Sequence, residues 1–263
     1  MSETFLEKIV MKTREKIARQ KLEADLDALK SEAIEVRAYA KPRRLRSALS
    51  REGETNIIAE IKRASPSKGI INSDIDVAAL AQQYKAGGAA AISVLTENEY
   101  FRGSLEDLRA VRKTVDLPIL RKDFTVDEFQ IYEAAAAGAD AILLIIAALN
   151  EQDLSNFLRL AQDDLGIDAL VEVHSREELD LAVKIGANII GVNNRNLHSL
   201  EVSLNVSRNL IIGRPEDALM VAESGISTRE EIDELKQLGF DGFLIGETLM
   251  RTTNAAETLG AWI

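Results

Sequence analysis

After residue 56, short apolar runs alternate regularly with longer amphipathic segments, and few folds are compatible with this pattern. The runs are rich in aliphatic and β-branched residues, and their spacing of about 20 to 33 residues fits a strand, a helix and two loops. The predicted strands are 57–61, 90–95, 118–121, 140–146, 168–173, 188–192, 218–222 and 241–245. Strand–helix units in series favour a closed (β/α)8 TIM barrel. The alternative is an open doubly wound sheet, which would usually show a glycine-rich dinucleotide loop that this chain lacks.

The amino-terminal segment differs from the rest because it is rich in charge and has no strand-like run. Its apolar residues recur at helical spacing and predict two amphipathic helices. They are Phe5, Leu6, Ile9, Val10 and Ile17, then Leu22, Leu26 and Leu29. We therefore expect residues 1–48 to form a helical extension packed on a barrel of residues 49–263, within one structural domain. The basic cluster from Lys41 to Arg46 is interpreted as a solvated linker, with a ligand-facing lid as the alternative.

Composition excludes several classes of function. A chain of 263 residues with 46% hydrophobic content can bury one large core, and its net charge of −11 argues against nucleic acid or an anionic membrane as the main partner. The absence of cysteine excludes disulfides and thiolate chemistry, and two histidines make a zinc site unexpected. The mixed charge of the first residues does not fit a secretory signal, and no apolar run approaches the ~20 residues that span a bilayer. We expect a soluble cytoplasmic protein.

The first predicted strand runs directly into charged residues. Because strand side chains alternate between faces, Ile58, Glu60 and Lys62 share one face, while the other face stays apolar. Inward charges on a strand need partners, solvent or a ligand. The segment 65–69, Ser-Pro-Ser-Lys-Gly, is predicted to be a loop.

Polar residues also end other strands of the predicted barrel, whose active site would lie at the carboxyl ends of the strands. Lys122 lies on the same face of its predicted strand as the apolar Leu120, and Glu172 lies on the same face as Leu170. The sixth strand leads into Asn193-Asn194-Arg195, and the seventh ends before Glu223. This repetition favours a shared polar pocket, although a structural ion-pair network at the barrel mouth is the alternative. The two histidines, His174 and His198, are interpreted as ordinary loop residues.

Two glycine-containing turns follow the last two strands. Ser224-Gly225 leads from strand seven into a helix, and Gly246-Glu247 leads from strand eight into another. Glycine lets backbone N–H groups approach a ligand, and helix N-termini favour negative charge. Barrels often hold a phosphate between these loops, so a phosphate site is predicted here, with simple turn glycines as the alternative.

Several of these segments resemble conserved blocks of one enzyme family, in the family's order. The blocks are Glu-Ile-Lys-Arg-Ala-Ser-Pro-Ser-Lys-Gly at 60–69, Leu-Arg-Lys-Asp-Phe at 120–124, Leu-Val-Glu-Val at 170–173, Gly-Val-Asn-Asn-Arg-Asn-Leu at 191–197, Ala-Glu-Ser-Gly-Ile at 222–226 and Leu-Ile-Gly-Glu at 244–247. The sequence is similar to indole-3-glycerol phosphate synthases, which are (β/α)8 barrels of tryptophan biosynthesis. They convert 1-(2-carboxyphenylamino)-1-deoxyribulose 5-phosphate to indole-3-glycerol phosphate, with loss of carbon dioxide and water. The amino-terminal helices carry the weakest part of the resemblance.

The resemblance implies a role for each matching residue. Lys122 would be the general acid that protonates the ketone oxygen during ring closure, and Lys62 and Glu60 would supply the second acid. Glu172 would be the base, although the opposite assignment of Glu172 stays open. The neighbouring ammonium groups are expected to lower one another's pKa. Substrate orientation would fall to Asn193, Arg195 and Glu223, the phosphate site to Ser65, Ser224, Gly225, Gly246 and Glu247, and the ring walls to Phe124 and Leu143.

The implied chemistry requires no cofactor and no metal, and the expected ligand is a small phosphorylated anion. Phosphoribosylanthranilate isomerase is a related barrel, but that family is expected to use a cysteine base, which is absent here. A barrel that binds a phosphorylated metabolite without converting it is the second alternative, and binding alone would not require Lys62, Lys122 and Glu172 together. We expect a monomer or a weak homodimer.

Overall fold

The parallel strands close into a barrel in the computed structural model, which describes residues 4–197 and 199–263. Within those residues the barrel strands are β1 (Ile57–Ile61), β2 (Ala91–Leu95), β3 (Ile119–Lys122), β4 (Ala141–Ile145), β5 (Asp168–Val173), β6 (Ile189–Asn193), β7 (Leu219–Glu223) and β8 (Gly242–Ile245). Each strand pairs in parallel with its neighbours in the sequence, and β8 pairs with β1. The predicted (β/α)8 barrel is confirmed, and each predicted strand boundary lies within one residue of the observed one.

Helices connect the strands and surround the barrel. Those described are α1 (Phe5–Glu23), α2 (Leu26–Ala38), α3 (Arg44–Leu49), α4 (Val77–Ala86), α5 (Leu105–Thr114), α6 (Glu128–Ala136), α7 (Glu151–Arg159), α8 (Arg176–Lys184), α9 (Asn205–Leu210), α10 (Arg229–Leu238), α11 (Glu247–Arg251) and α12 (Ala255–Trp262). Several helices begin at a polar capping residue. Before α10, the Thr228 side chain accepts the backbone N–H of Glu231, and the Glu231 carboxylate accepts the backbone N–H of Thr228. No helix of the described residues combines the length and apolarity needed to cross a bilayer.

The alternation of side chains along β1 separates two apolar layers. Ile58 belongs to the cluster that fills the barrel, whereas Ile57, Ala59 and Ile61 belong to the larger cluster between the strands and the outer helices. All residues of β1 are buried, so Glu60 is held inside the barrel near the carboxyl ends of the strands. The sheet therefore presents a charged side chain at the position where the predicted pocket begins.

The amino-terminal helices cover two parts of the barrel. Leu6 and Ile9 of α1 are buried in the same cluster as the barrel-filling residues, and Ala33 of α2 is fully buried in the outer layer, where α2 packs along α6. Both predicted helices are present, but Leu22, which was predicted to belong to the second, lies in the last turn of α1 and is exposed. The division of the chain at residue 48 stays a prediction.

The basic cluster from Lys41 to Arg46 is not a lid, because it lies at the opposite end of the barrel from the predicted pocket. Lys41 and Pro42 form an exposed connection as predicted, but from Arg44 onward the chain is the short helix α3 and not a linker. Leu45 and Leu49 are buried in the barrel-filling cluster and close that end. The Arg44 guanidinium reaches Asp140, just before β4, at 3.3 Å, and the backbone N–H of Arg46 donates to Asp168 at the start of β5. These contacts are long-range pairings, which sequence pattern alone does not reveal.

The segment predicted to be the loop 65–69 contains a small hairpin instead. Ala64–Ser65 pairs antiparallel with Gly69–Ile70, and Gly69 adopts a φ of 66° that favours glycine. The backbone N–H of Ala64 donates to the carbonyl of Phe101, which ties the hairpin to the loop after β2. Ser67 and Lys68 lie in the turn and line the cavity at the mouth of the barrel.

Candidate active site

Charged and amide side chains from five strands converge at the carboxyl end of the barrel. They are Glu60 on β1 and Lys62 just after it, Lys122 at the end of β3, Glu172 on β5, Asn193 at the end of β6, and Glu223 at the end of β7. All of them line one of two adjoining cavities, and Glu60, Lys62 and Lys122 line both. This arrangement follows from strand geometry, because every second side chain of a barrel strand faces the interior.

Lys122 lies at the centre of this cluster. Its Nζ lies 3.1 Å from Glu172 Oε2 and 3.4 Å from Glu223 Oε2, and its side chain is 14% exposed. Burial disfavours the ammonium, but the carboxylates of Glu172, Glu223 and Glu60 outweigh it and raise the pKa of Lys122. The expected lowering of this pKa by a neighbouring ammonium is therefore wrong, because the nearest charges are carboxylates. Lys122 is held protonated, as a proton donor must be before reaction.

Lys62 and Glu60 form a second ion pair beside Lys122. Lys62 Nζ lies 2.8 Å from Glu60 Oε1, and both side chains are largely buried. The Tyr84 hydroxyl donates to the backbone carbonyl of Glu60 at 3.0 Å, which fixes the end of β1 from the outer layer. The pair places a second ammonium on the cavity wall.

The buried carboxylates Glu172 and Glu223 differ in their protonation. Burial alone would raise the pKa of Glu172, but Lys122 and His174 overcome it and lower that pKa below its ordinary value. Burial, together with the charges of Glu172 and Glu60, raises the pKa of Glu223 to about 7. Glu172 is therefore ionised and able to accept a proton, whereas Glu223 is divided between its two forms near neutrality.

The loops after β7 and β8 form the outer wall of the larger cavity, which has a volume of about 600 Å³. Ser224 and Gly225 both adopt positive φ, of 65° and 82°, and a Cβ at Gly225 would lie 2.6 Å from Val202 Cγ1. Thr248 Oγ1 donates to the carbonyl of Ile226 and links the two loops. Glycine at position 225 therefore keeps this turn free of a side chain, so that a ligand can approach its backbone closely.

A smaller cavity of about 100 Å³, which also borders Lys122, adjoins the larger one. Its wall includes Phe124 and Leu143, which the sequence predicted, and Phe5 and Phe101, which it did not. The buried Ser65 lines this cavity rather than the one beside the two loops. Lys122, like Glu60 and Lys62, therefore borders both a chamber walled by aromatic side chains, suited to an aromatic ring, and a chamber beside the two glycine turns, suited to a phosphate.

Arg195 links the loop after β6 to the hairpin after β1. Its backbone N–H donates to Asn193 Oδ1 at 2.9 Å, and its guanidinium donates to Ser67 Oγ and to the Leu200 carbonyl, each at 3.1 Å. Arg195 lines both cavities. It supplies a positive charge where the two chambers meet.

His174 was interpreted as an ordinary loop residue, but its Nε2 lies 3.6 Å from Glu172 Oε1. Its position immediately after β5, two residues from Glu172, was the available signal. His198 falls outside the described residues. Among the described residues, no group of three or more histidine or acidic side chains is arranged to hold a metal ion.

Gly246 is required for the position of Glu60. A Cβ at Gly246 would lie 2.4 Å from Glu60 Oε1 and 2.9 Å from Glu60 Cβ, and the φ of −127° is open to any residue. We expect Gly246→Ala to displace Glu60 and lower kcat/KM by about 10²-fold, since small misplacements of a catalytic group have effects of that size. Steady-state kinetics check this, with Gly260→Ala as a control, because a Cβ at Gly260 of α12 would meet open space. Wild-type kinetics in Gly246→Ala would contradict the close packing.

The fold and the site together define a barrel enzyme with an acid–base centre at the carboxyl ends of its strands. The family model for indole-3-glycerol phosphate synthase matches residues 6–261. The chain belongs to the indole-3-glycerol phosphate synthase family, whose enzymes are carboxy-lyases that act on a phosphorylated substrate.

Two relatives and one solved structure illustrate the similarity. The indole-3-glycerol phosphate synthase of Lachnoclostridium phytofermentans is 46% identical over 260 residues, covering 95% of each chain. That of Koribacter versatilis is 48% identical over 244 residues, covering 92% of this chain and 94% of its own. The solved thiamine phosphate pyrophosphorylase of Pyrococcus furiosus is 19% identical, with a TM-score of 0.61, and covers 83% of this chain and 95% of its own. The last similarity concerns the fold alone.

Proposed function

We propose that the protein converts 1-(2-carboxyphenylamino)-1-deoxyribulose 5-phosphate to indole-3-glycerol phosphate, carbon dioxide and water. The observation that carries this proposal is the position of a protonated lysine, Lys122, on the wall shared by a chamber with aromatic side chains and a chamber bordered by two glycine turns. The substrate has the matching order of groups, with an aromatic ring at one end, a ketone in the middle and a phosphate at the other end.

Ring closure is the first step. The ring carbon that bears the carboxylate attacks the ketone carbon, and Lys122 gives its proton to the ketone oxygen as negative charge develops there. The carboxylate then leaves as carbon dioxide, and its bonding electrons restore the aromatic ring. Glu172 and Glu223, which contact Lys122 Nζ, hold the ammonium in place before it donates.

Dehydration follows. The new hydroxyl leaves as water after receiving a proton from Lys62, whose partner Glu60 fixes it on the cavity wall. Glu172 removes a proton from the adjacent carbon, and the electrons of that C–H bond form the double bond of the indole. The lowered pKa of Glu172 supports its assignment as the base rather than the acid. Asn193, Arg195 and Glu223 orient the substrate and these groups.

Binding rests on the two chambers. Phe124 and Leu143 hold the aromatic ring, with Phe5 and Phe101 completing the wall. Ser224, Gly225, Gly246 and Glu247 hold the phosphate largely through backbone N–H groups. Ser65 lines the ring chamber, so we assign it to the substrate and not to the phosphate.

The partner we propose is this small phosphorylated anion, in the cytoplasm, without nucleic acid or a membrane surface. The net charge of −11 supports that restriction, because an acidic chain repels other large anions. A monomer or a weak homodimer is sufficient for the reaction, since the described chain supplies every residue assigned above.

Indole fluorescence tests the proposal. Purified protein is mixed with the carboxyphenylamino-deoxyribulose phosphate, and separately with phosphoribosylanthranilate, the substrate of the isomerase alternative. We expect indole emission to appear from the first substrate, with no conversion of the second. Consumption of the second substrate would support the isomerase, and binding of the first without new emission would support a barrel that only binds.

A further inference from the structure

Glu172 has a basic side chain near each of its two carboxylate oxygens. Lys122 Nζ lies 3.1 Å from Oε2, and His174 Nε2 lies 3.6 Å from Oε1. The proposed reaction uses the first contact, because Lys122 must give away its proton. It does not use the second.

The imidazole of His174 is held in place from the helix that follows β5. The backbone N–H of His174 donates to Glu178 Oε2 at 2.7 Å, and the ring Nδ1 lies 3.5 Å from the same oxygen. Ser175 caps this helix by accepting the backbone N–H of Glu178. One carboxylate therefore fixes both the backbone and the ring, and directs Nε2 toward Glu172.

The surroundings of His174 favour its charged form. Burial disfavours the imidazolium, but Glu178, Glu172 and the more distant Glu223 outweigh it and raise the pKa of His174. Glu201 borders the same cavity of about 260 Å³, in which His174 is a wall. The ring is 17% exposed, and its Nε2 is buried without a hydrogen-bond partner among the described residues, so the orientation toward Glu172 is not diverted by another acceptor.

We propose that His174 is a positioning residue whose imidazolium keeps Glu172 ionised and oriented after Lys122 has given its proton to the substrate. The argument follows from burial. Once Lys122 is neutral, Glu172 loses the charge at Oε2, and a buried carboxylate with no remaining cation would take up a proton and cease to be a base. His174 supplies the remaining charge at Oε1. This inference rests on the proposed function.

The first test is the pH dependence of turnover in His174→Gln, which removes the charge and keeps a polar side chain. Loss of the cation raises the pKa of Glu172, so this base becomes protonated at a higher pH. The acid limb of the kcat profile therefore shifts toward higher pH. We expect a shift of about one pH unit, which lowers kcat about 10-fold at pH values below the pKa of the base and much less at alkaline pH. KM should change little, because His174 does not line the two substrate chambers.

The second test is chemical rescue of His174→Ala. The adjoining cavity gives a small ring room to enter. Imidazole should restore a large part of kcat at a pH where it is protonated, and pyrazole, which has the same size but stays neutral, should not. Equal rescue by both rings would show that the histidine only fills space, and would overturn the proposal.

Glu178→Gln gives an independent variant that keeps the side-chain oxygen and leaves His174 unchanged. Although it removes one of the charges that favour the imidazolium, His174 stays charged at the low pH of the acid limb, so that limb should move much less than in His174→Gln. Wild-type protein that forms no indole would refute the proposed function. Wild-type protein that forms indole, with an unchanged pH profile in His174→Gln, would refute only the role of His174.

Discussion

Lys122→Met is expected to lower turnover by about 10²-fold or more, because the substitution removes the proton donor for the ketone oxygen, and general acid catalysis contributes about that much. Methionine nearly preserves the length and volume of the lysine stem. The two chambers that would bind the ring and the phosphate remain, so KM should stay within a few-fold of the wild-type value. Steady-state kinetics by indole fluorescence measure both constants.

The control for Lys122→Met is Lys113→Met, which makes the same change on the exposed end of α5. It should leave kcat and KM unchanged. Circular dichroism checks that both variants are folded, since Lys122→Met leaves Glu172 and Glu223 with one cation fewer. Wild-type turnover in a folded Lys122→Met protein would exclude Lys122 as the acid.

Asp140→Ala is expected to lower the free energy of unfolding by about 3–5 kcal/mol, because it leaves one buried and two partly buried guanidinium groups without their shared carboxylate. Arg112, Arg44 and Arg37 lie 2.7, 3.3 and 3.6 Å from the Asp140 carboxylate, whose side chain is 1% exposed. Asp140 also accepts the backbone N–H of Ile119 at the start of β3. Urea denaturation followed by circular dichroism measures the loss.

Asp116→Ala is the matched control, because Asp116 pairs with the same Arg44 but is 93% exposed. Exposed ion pairs contribute about 0–1 kcal/mol, so this variant should unfold near the wild-type midpoint. Both substitutions lie at the end of the barrel opposite the candidate site, and kcat should be unchanged wherever the variants are folded. Equal stability of the two variants would contradict the structural role of the Asp140 cluster.

The strands could be predicted from sequence because their signal is local. Each run is short and apolar and is followed by an amphipathic segment. A shift of β1 by one residue along its neighbours would turn its barrel-filling side chains outward and its outer side chains inward, so the register is well specified. The arginine contacts of α3 could not be predicted in this way. Arg44 and Asp140 are 96 residues apart, and only the closed barrel brings them together. The hairpin after β1 was missed because each of its strands has only two residues.

The candidate site could be outlined from sequence for a related reason. A parallel barrel carries the ends of all its strands to one mouth, so the positions of Lys122, Glu172 and Glu223 in their strands were sufficient to predict a shared pocket. The contribution of Phe5 depends on how α1 packs across the mouth, and no strand rule predicts that. The direction of the Lys122 pKa shift depends on which charges are nearest, and those distances come only from the fold.

The proposed reaction is tested most simply at the substrate carboxylate, because ring closure with Lys122 as the acid is followed by loss of that carboxylate as carbon dioxide. Substrate labelled with ¹³C in that carboxylate is incubated with the wild-type protein, and NMR measures labelled carbon dioxide while fluorescence measures indole. We expect one labelled carbon dioxide for each indole from the wild-type protein, and both products to form about 10²-fold or more slowly, still in equal amounts, in Lys122→Met. Consumption of the substrate with the label retained in the product would contradict the account.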